Sequence, residues 1–247
     1  MLLGFLIAMA VGLTGTGAGS VTAPILILFL GLPPAVAVGT ALRFAAVIKF
    51  AAAPLYLARR QVNLKVLLLM CAGGVPGVLL GVFLIGFLDV RRYESILFLV
   101  LGAMIAVMAL YTLYHTFRKT NRPHGTQRLS WLPWIASGIG TEVGFSSAGA
   151  GALGSLALLN LTALTPAQVV GTDMAFGLIL STIGGGFHIF SGQYSSGILW
   201  QLVAGGLPGV FVGANLSATL PARPVRVGLA LWLSVLGAEL CIKALFS

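Results

Sequence analysis

The chain has 247 residues, 58% of them hydrophobic and only 8% charged, with a formal net charge of +9. Soluble domains carry about 25% charged residues, so this composition excludes a water-soluble fold. Apolar runs of about 20 residues, enough to cross about 30 Å of hydrocarbon, recur along its length and read as an all-α polytopic membrane protein.

The alternating segments of a membrane barrel are absent. The basic excess is not a nucleic-acid signal, because loop Lys and Arg orient membrane proteins whatever their ligand. No nucleic-acid partner is expected. Cys71 and Cys241 lie within apolar segments and form neither a disulfide framework nor a metal spacing.

In chain order, the first segment (2–31) is a broken helix. Its start, "MLLGFLIAMAVGL", lacks a basic leader and its apolar pattern runs on, so it reads as retained. The glycine-rich stretch that follows divides it into pieces of about 12 residues, or about 18 Å as helix, too short to span comfortably. Helices are predicted near 34–58, 64–88 and 93–117. The hydrophilic linker "RKTNRPHGTQR" (118–128) follows, flanked by Tyr111, Tyr114, Trp131 and Trp134, which read as an interfacial aromatic belt. The second half has a broken segment at 131–163 and helices near 166–190, 197–219 and 224–246.

The halves are copies. A shift of 132 residues overlays Val11–Gly81 on Val143–Gly213 without gaps, with 22 identities over 71 positions. "AGGVPGVLLG" (72–81) meets "AGGLPGVFVG" (204–213), and "GTALRF" (39–44) meets "GTDMAF" (171–176). We read one transmembrane domain over 1–247, with repeat 1 at 1–117, a linker at 118–130 and repeat 2 at 131–247. If each broken segment re-enters and returns, each half crosses an odd number of times and the repeats are inverted. The returning topology places nine basic residues on one side against three, and the crossing topology eight against four. Both obey the positive-inside rule with the linker cytoplasmic, and inversion is the reading favoured.

Irregular backbone survives in a membrane only where protein or water covers it. A glycine-rich break leaves the first amides of the next half-helix unpaired, and with the helix dipole they favour an anion. Duplicated breaks in corresponding halves point to a transporter site. The candidate binding residues are therefore Gly17, Gly19 and Ser20, with Ser146, Ser147, Gly149 and Gly151 from the second break. Thr40, Arg43 and Thr172 join them from the helices that follow. Glycines that merely permit close helix packing are the competing reading.

Arg43 lies near the bilayer centre, where it needs a partner or a function; it either holds an anionic substrate or pairs with Asp173. Lys49 reads as snorkelling to the cytoplasmic edge. Glu142 either titrates and couples protons or caps neighbouring amides, and Asp173 is a second candidate for coupling or ion pairing. His188 reads as a satisfied interfacial histidine, and Gln61 and Gln193 as interface residues. The glycine stripes Gly73–Gly77–Gly81 and Gly205–Gly209–Gly213 read as packing faces. "GTGAGS" lacks the Gly-Lys-Ser/Thr of a phosphate loop, and no metalloprotease or serine-hydrolase motif occurs. No enzyme is expected.

At these motifs the chain resembles the sulfite exporter TauE/SafE family of bacterial membrane permeases. The resemblance rests on "GTGAGSVTAP" (15–24), "AVGTALR" (37–43), "GGVPGVLLG" (73–81) and their echoes, and covers essentially the whole chain. It implies export of small sulfur-containing anions, such as sulfite or organosulfonates, across the bacterial inner membrane without an organic cofactor. Both breaks read Gly-Ala-Gly where the family usually has Gly-Gly-Gly, and "GTDMAF" has no arginine, so a substrate arginine comes from one half only. Besides the lipid bilayer and the anion, the glycine stripes leave room for a homodimer. Two other readings stay open: a non-transporting membrane scaffold, and a transporter of a different small ion held by Glu142 and Asp173.

Overall fold

In the computed structural model the described residues are 1–14, 18–87, 94–117, 128–147, 151–190, 192–216 and 222–246, and no strand occurs among them. Repeat 1 contributes α1 (Leu2–Thr14), α2 (Ala18–Leu30), α3 (Pro34–Ala58), α4 (Leu64–Phe87) and α5 (Glu94–Phe117). After a short 3-10 turn, Leu129–Trp131, repeat 2 contributes α6 (Leu132–Ser146), α7 (Ala152–Leu161), α8 (Pro166–Phe190), α9 (Ser196–Leu216) and α10 (Ala222–Phe246). The predicted broken segments are thus two helices each. Residues 15–17 and 148–150 of the breaks, and 118–127 of the linker, lie outside the described residues.

Local chemistry explains the boundaries. Pro34 and Pro166 open α3 and α8, where a missing N–H costs nothing. Before α8, Thr165 and Gln168 form a reciprocal capping box: the Gln168 amide donates to Thr165 Oγ1 at 3.3 Å, and the Thr165 amide to Gln168 Oε1 at 3.2 Å. Asn63 caps α4 by accepting the Val66 amide at 3.1 Å. Both α3 and α8 end in a left-handed residue, Arg60 (φ 52°) and Gly192 (φ 66°). In each case the next amide reaches back five residues, Gln61 to Tyr56 and Gln193 to His188.

The glycine stripes are packing faces. A Cβ on Gly73, Gly77 or Gly81 of α4 would strike the carbonyls of Pro133, Ser137 and Thr141 along α6. On Gly205, Gly209 and Gly213 of α9 it would strike those of Met1, Phe5 and Met9 along α1. Each contact has its mate 132 residues away, so the duplication read in the sequence is a symmetry of the structure. In both pairs the numbers rise together, so α4 runs with α6, and α9 with α1.

Repeat mates, by contrast, run antiparallel. Gly39 of α3 meets His188 and Gly185 of α8 meets Arg43, so α3 ascends as α8 descends. Likewise Gly102 of α5 meets Cys241 of α10, and Gly237 meets Ala106. Antiparallel mates mean inverted repeats.

The broken segment returns. Gly74 of α4 lies against Phe176 and Leu180, and Val78 against Gly184, so α8 runs with α4 and therefore with α6. The intervening α7 must carry the chain back, and the Arg128 amide, just before α6, donates to the Leu161 carbonyl at the end of α7 at 3.2 Å. Among the described residues four helices, α3, α4, α8 and α9, are long and apolar enough to cross a membrane. In α3 and α8, 61% of the apolar window is buried, against 44% in α4 and α9. The α3–α8 seam is the centre of the bundle, and α4 and α9 present more surface to lipid.

Candidate functional site

The two ends of the α3–α8 seam are related by the repeat and share one scaffold. At one end the Ser195 amide donates to Thr40 Oγ1 at 3.0 Å; at the other the Asn63 amide donates to Thr172 Oγ1, also at 3.0 Å. Thr40 further donates to the Val36 carbonyl at 2.7 Å. Both threonines are fully buried. Each therefore pins the loop that closes the opposite repeat's helix, and for Thr40 both donor and acceptor roles are in use.

The charges on this scaffold differ. At the Thr40 end, Arg43 lies half-buried with its guanidinium carbon 4.2 Å from the centre of the Tyr194 ring, a cation–π geometry. Gly185 leaves the space its side chain crosses. Arg43 makes no ion pair among the described residues, so the alternative of a permanent pair with Asp173 is corrected. The inverted arrangement separates them: Arg43 packs at the far end of α8 from Asp173.

Asp173 has other partners. It is 2% exposed, and its Oδ2 accepts a 2.7 Å hydrogen bond from Ser155 Oγ in the first turn of α7. The Ser155 main-chain amide also faces it, and its Oδ1 presses against Gly154 so closely that no Cβ fits there. Lys49 of α3, 3% exposed, is the cation acting on this carboxylate across the repeats. Lys49 therefore does not snorkel to the edge. Its inward course follows from α3 and α8 being antiparallel, which brings Asp173 toward the second half of α3.

The remaining sequence candidates divide by location. Gly17 and Gly149 lie outside the described residues, and Gly19 and Ser20 belong to the first turn of α2. Ser146 ends α6, buried, with its hydroxyl donating to the Glu142 carbonyl at 3.0 Å. Ser147 adopts a left-handed conformation (φ 60°) that stops the helix, its amide donating to the Val143 carbonyl at 2.8 Å. Gly151 precedes α7 with φ 125°, a conformation that favours glycine. Glu142, 7% exposed in α6, caps nothing: neither carboxyl oxygen has a hydrogen-bond partner among the described residues.

His188, in the last turn of α8, is fully buried, packed against Gly39 and beside the Gln193 side chain, but it is not the satisfied histidine expected, since neither ring nitrogen is in hydrogen-bonding geometry among the described residues. Ser155 and Tyr194 are the residues sequence reasoning missed. Neither carries a motif, and each matters only through a partner on another helix. No cluster of His, Cys, Asp and Glu that could hold a metal occurs among the described residues.

An inverted-repeat bundle with two returning half-helices and unlike charges along its central seam defines a multi-pass membrane transporter. The chain belongs to the TauE/SafE family, whose model, described as "Sulfite exporter TauE/SafE", matches residues 1–240. It is 28% identical over 250 residues to "Probable membrane transporter protein YjnA" of Bacillus subtilis (strain 168), covering 97% of this chain and 98% of that one. A "Probable membrane transporter protein" of Haemophilus influenzae (strain ATCC 51907 / DSM 11121 / KW20 / Rd) is 28% identical over 207 residues, 83% of this chain and 77% of its own. A third relative, "Probable membrane transporter protein YdhB" of Bacillus subtilis (strain 168), is 24% identical over 237 residues, 94% and 95% of the two chains. No solved structure matches the chain.

Proposed function

We propose that the protein exports small sulfur-containing anions, sulfite or organosulfonates, across the bacterial inner membrane by alternating access of its inverted repeats. The observation that carries this reading is Arg43: an arginine in the central seam, stacked on Tyr194, with no carboxylate partner among the described residues. A membrane-embedded cation without a protein counter-charge calls for an anion from elsewhere. The family's name gives sulfite as the exported ion. A sulfonate suits a guanidinium fork, whose donors match two oxygens at once.

In this reading the anion sits at the start of α2, by the main chain of Gly19 and Ser20, with Arg43 as counter-charge; Gly17 of the same break lies outside the described residues. The start of α7, preceded by Gly151 and by Ser146 and Ser147 at the end of α6, already holds the Asp173 carboxylate beside Ser155. Thr40 and Thr172 position the loops that seal the two ends of the seam. Rocking of one repeat against the other about this seam exposes the site to each side in turn.

The test is flux of labelled sulfite from proteoliposomes. Arg43→Ala is expected to lower it at least 100-fold while size-exclusion and circular-dichroism profiles stay those of the parent. Undiminished flux in the folded variant rules out the role.

A further inference from the structure

Glu142 is a buried carboxylic acid that the anion site does not use. Both its carboxyl oxygens lack a hydrogen-bond partner among the described residues, and no charged side chain acts on it. Its depth follows from the register of three parallel helices. Gly140 and Gly144 of α6 press on Gly74 and Val78 of α4, while Gly74 and Val78 in turn meet Phe176, Leu180 and Gly184 of α8. Glu142, between Gly140 and Gly144, is therefore level with the middle of α8.

An ionised carboxylate at that depth with no counter-charge is strongly disfavoured. A permanent structural acid would be expected to have acquired a donor, as Asp173 has in Ser155. Among the described residues the elements packed against α6 supply none: α2 and α7 carry no ionisable residue, and Tyr111 and Tyr114 of α5 give the carboxyl oxygens no hydrogen bond. The side chains of Glu94 and His115, in the first and last turns of α5, lie outside those described. On α4 the residues facing it are Gly73, Gly77, Gly81 and Val78. The ionisable groups elsewhere, Cys71 on α4, Arg43 and Lys49 on α3, and Asp173 and His188 on α8, make neither a hydrogen bond nor an ion pair with it. The repeat mate of Glu142 is Ala10, so the group is present once per chain and has no symmetric copy.

Along α6 it follows a stripe that faces lipid, and it lies close to the end of the helix. Trp131, Trp134, Ile135 and Gly138 form an exposed stripe along α6, and Glu142, four residues after Gly138 on the same face, is where that stripe becomes covered. Ser147 ends the helix little more than one turn later. A helix that stops there, on a hairpin that returns, is the element whose displacement would uncover the carboxyl.

From this arrangement we infer that Glu142 is a proton-binding site: it holds a proton while sealed and releases it when the returning hairpin α6–α7 opens it to water. One proton thereby moves per transport cycle. This rests on the reading of the chain as an anion transporter, and it names the coupling ion of that cycle. No bond other than O–H forms or breaks, and water on each side is donor and acceptor.

The experiment has one arm that needs no substrate. Infrared pH-difference spectra of the purified full chain should show a protonated-carboxyl C=O band that responds to pH and vanishes in Glu142→Gln. A band that Glu142→Gln leaves intact, or that no pH change moves, overturns the proposal. In the second arm, proteoliposomes containing a pH dye receive methanesulfonate, whose charge is constant over the range used. The parent should couple sulfonate movement to proton movement. Glu142→Gln, which mimics the protonated acid, should keep sulfonate exchange within about threefold and lose net proton movement at least tenfold.

Proton movement unchanged in Glu142→Gln overturns the inference. Should the parent move no sulfonate while the Glu142 band is present and pH-responsive, the proton site stands and the anion reading falls. Should Glu142→Gln fail to fold, Glu142→Asp, which keeps the acid, should retain the band at a shifted frequency; a spectrum without that band overturns the assignment.

Discussion

The first turns of α2 and α7 occupy equivalent places in the two repeats and are occupied differently. In α7 the Ser155 hydroxyl and the space at Gly154 receive the Asp173 carboxylate, with Lys49 as the nearby cation. The equivalent residues around α2 are Ala23 for Ser155 and Ala41 for Asp173, both buried and apolar. Two residues after Ala41, repeat 1 carries Arg43, which packs on Gly185 and Tyr194 and whose own mate is Ala175. Duplication made two helix starts suited to negative charge. One is satisfied from within the chain, and the other, in this account, is left for cargo.

The sharpest way to break this contrast is to abolish it. Thr22→Gly and Ala23→Ser with Ala41→Asp transplant the α7 arrangement, including the space at Gly154, onto α2 and should reduce sulfite flux at least 100-fold in proteoliposomes, because an internal carboxylate then competes with the cargo. Flux near the parent's value would show that the start of α2 is not where the anion rests. Next in size is Asp173→Asn, which leaves Lys49 buried without its counter-charge. Loss of the attraction between this carboxylate and the buried ammonium is seen as a lower midpoint in thermal unfolding in detergent. Adding Lys49→Met should recover more than half of that fall.

Ser155→Ala should cost about 2 kcal/mol, the usual range for a hydrogen bond to a charged acceptor, with anion affinity unchanged. A comparable loss of affinity would mean that α7 also holds cargo. Smallest are Thr40→Val and Thr172→Val. Each strips a buried amide of its acceptor and should cost about 1 kcal/mol, and the two midpoints should fall by similar amounts because the hydrogen bonds are symmetry mates of equal length.

The architecture was largely legible in the chain. The 132-residue register that aligned Gly73–Gly81 with Gly205–Gly213 also relates the two threonine locks and the two glycine-faced helix pairs, because a duplicated fold repeats its contacts as well as its residues. Loop charges separated the returning topology from the crossing one by a single residue. The antiparallel α3 and α8, and the Arg128–Leu161 hydrogen bond, separate them by geometry.

The charge partners were not legible. Asp173 stands close to the repeat mate of Arg43 in the alignment, and that proximity suggested a pair. Inversion carries equivalent positions to opposite ends of the seam, so alignment neighbours are not spatial neighbours. Lys49 looked like an edge residue because its distance from the helix end was visible while the carboxylate it faces, on the other repeat, was not. Ser155 was unmarked for the same reason: a serine in an apolar half-helix has meaning only once α7 folds back beside α8.

The most direct measurement is calorimetric titration of the purified protein with sulfoacetate. The account predicts one anion per chain, a stoichiometry that Ser155→Ala preserves, and an affinity that Arg43→Ala weakens at least tenfold. Two anions per chain, or equal affinity without the Arg43 side chain, would contradict it.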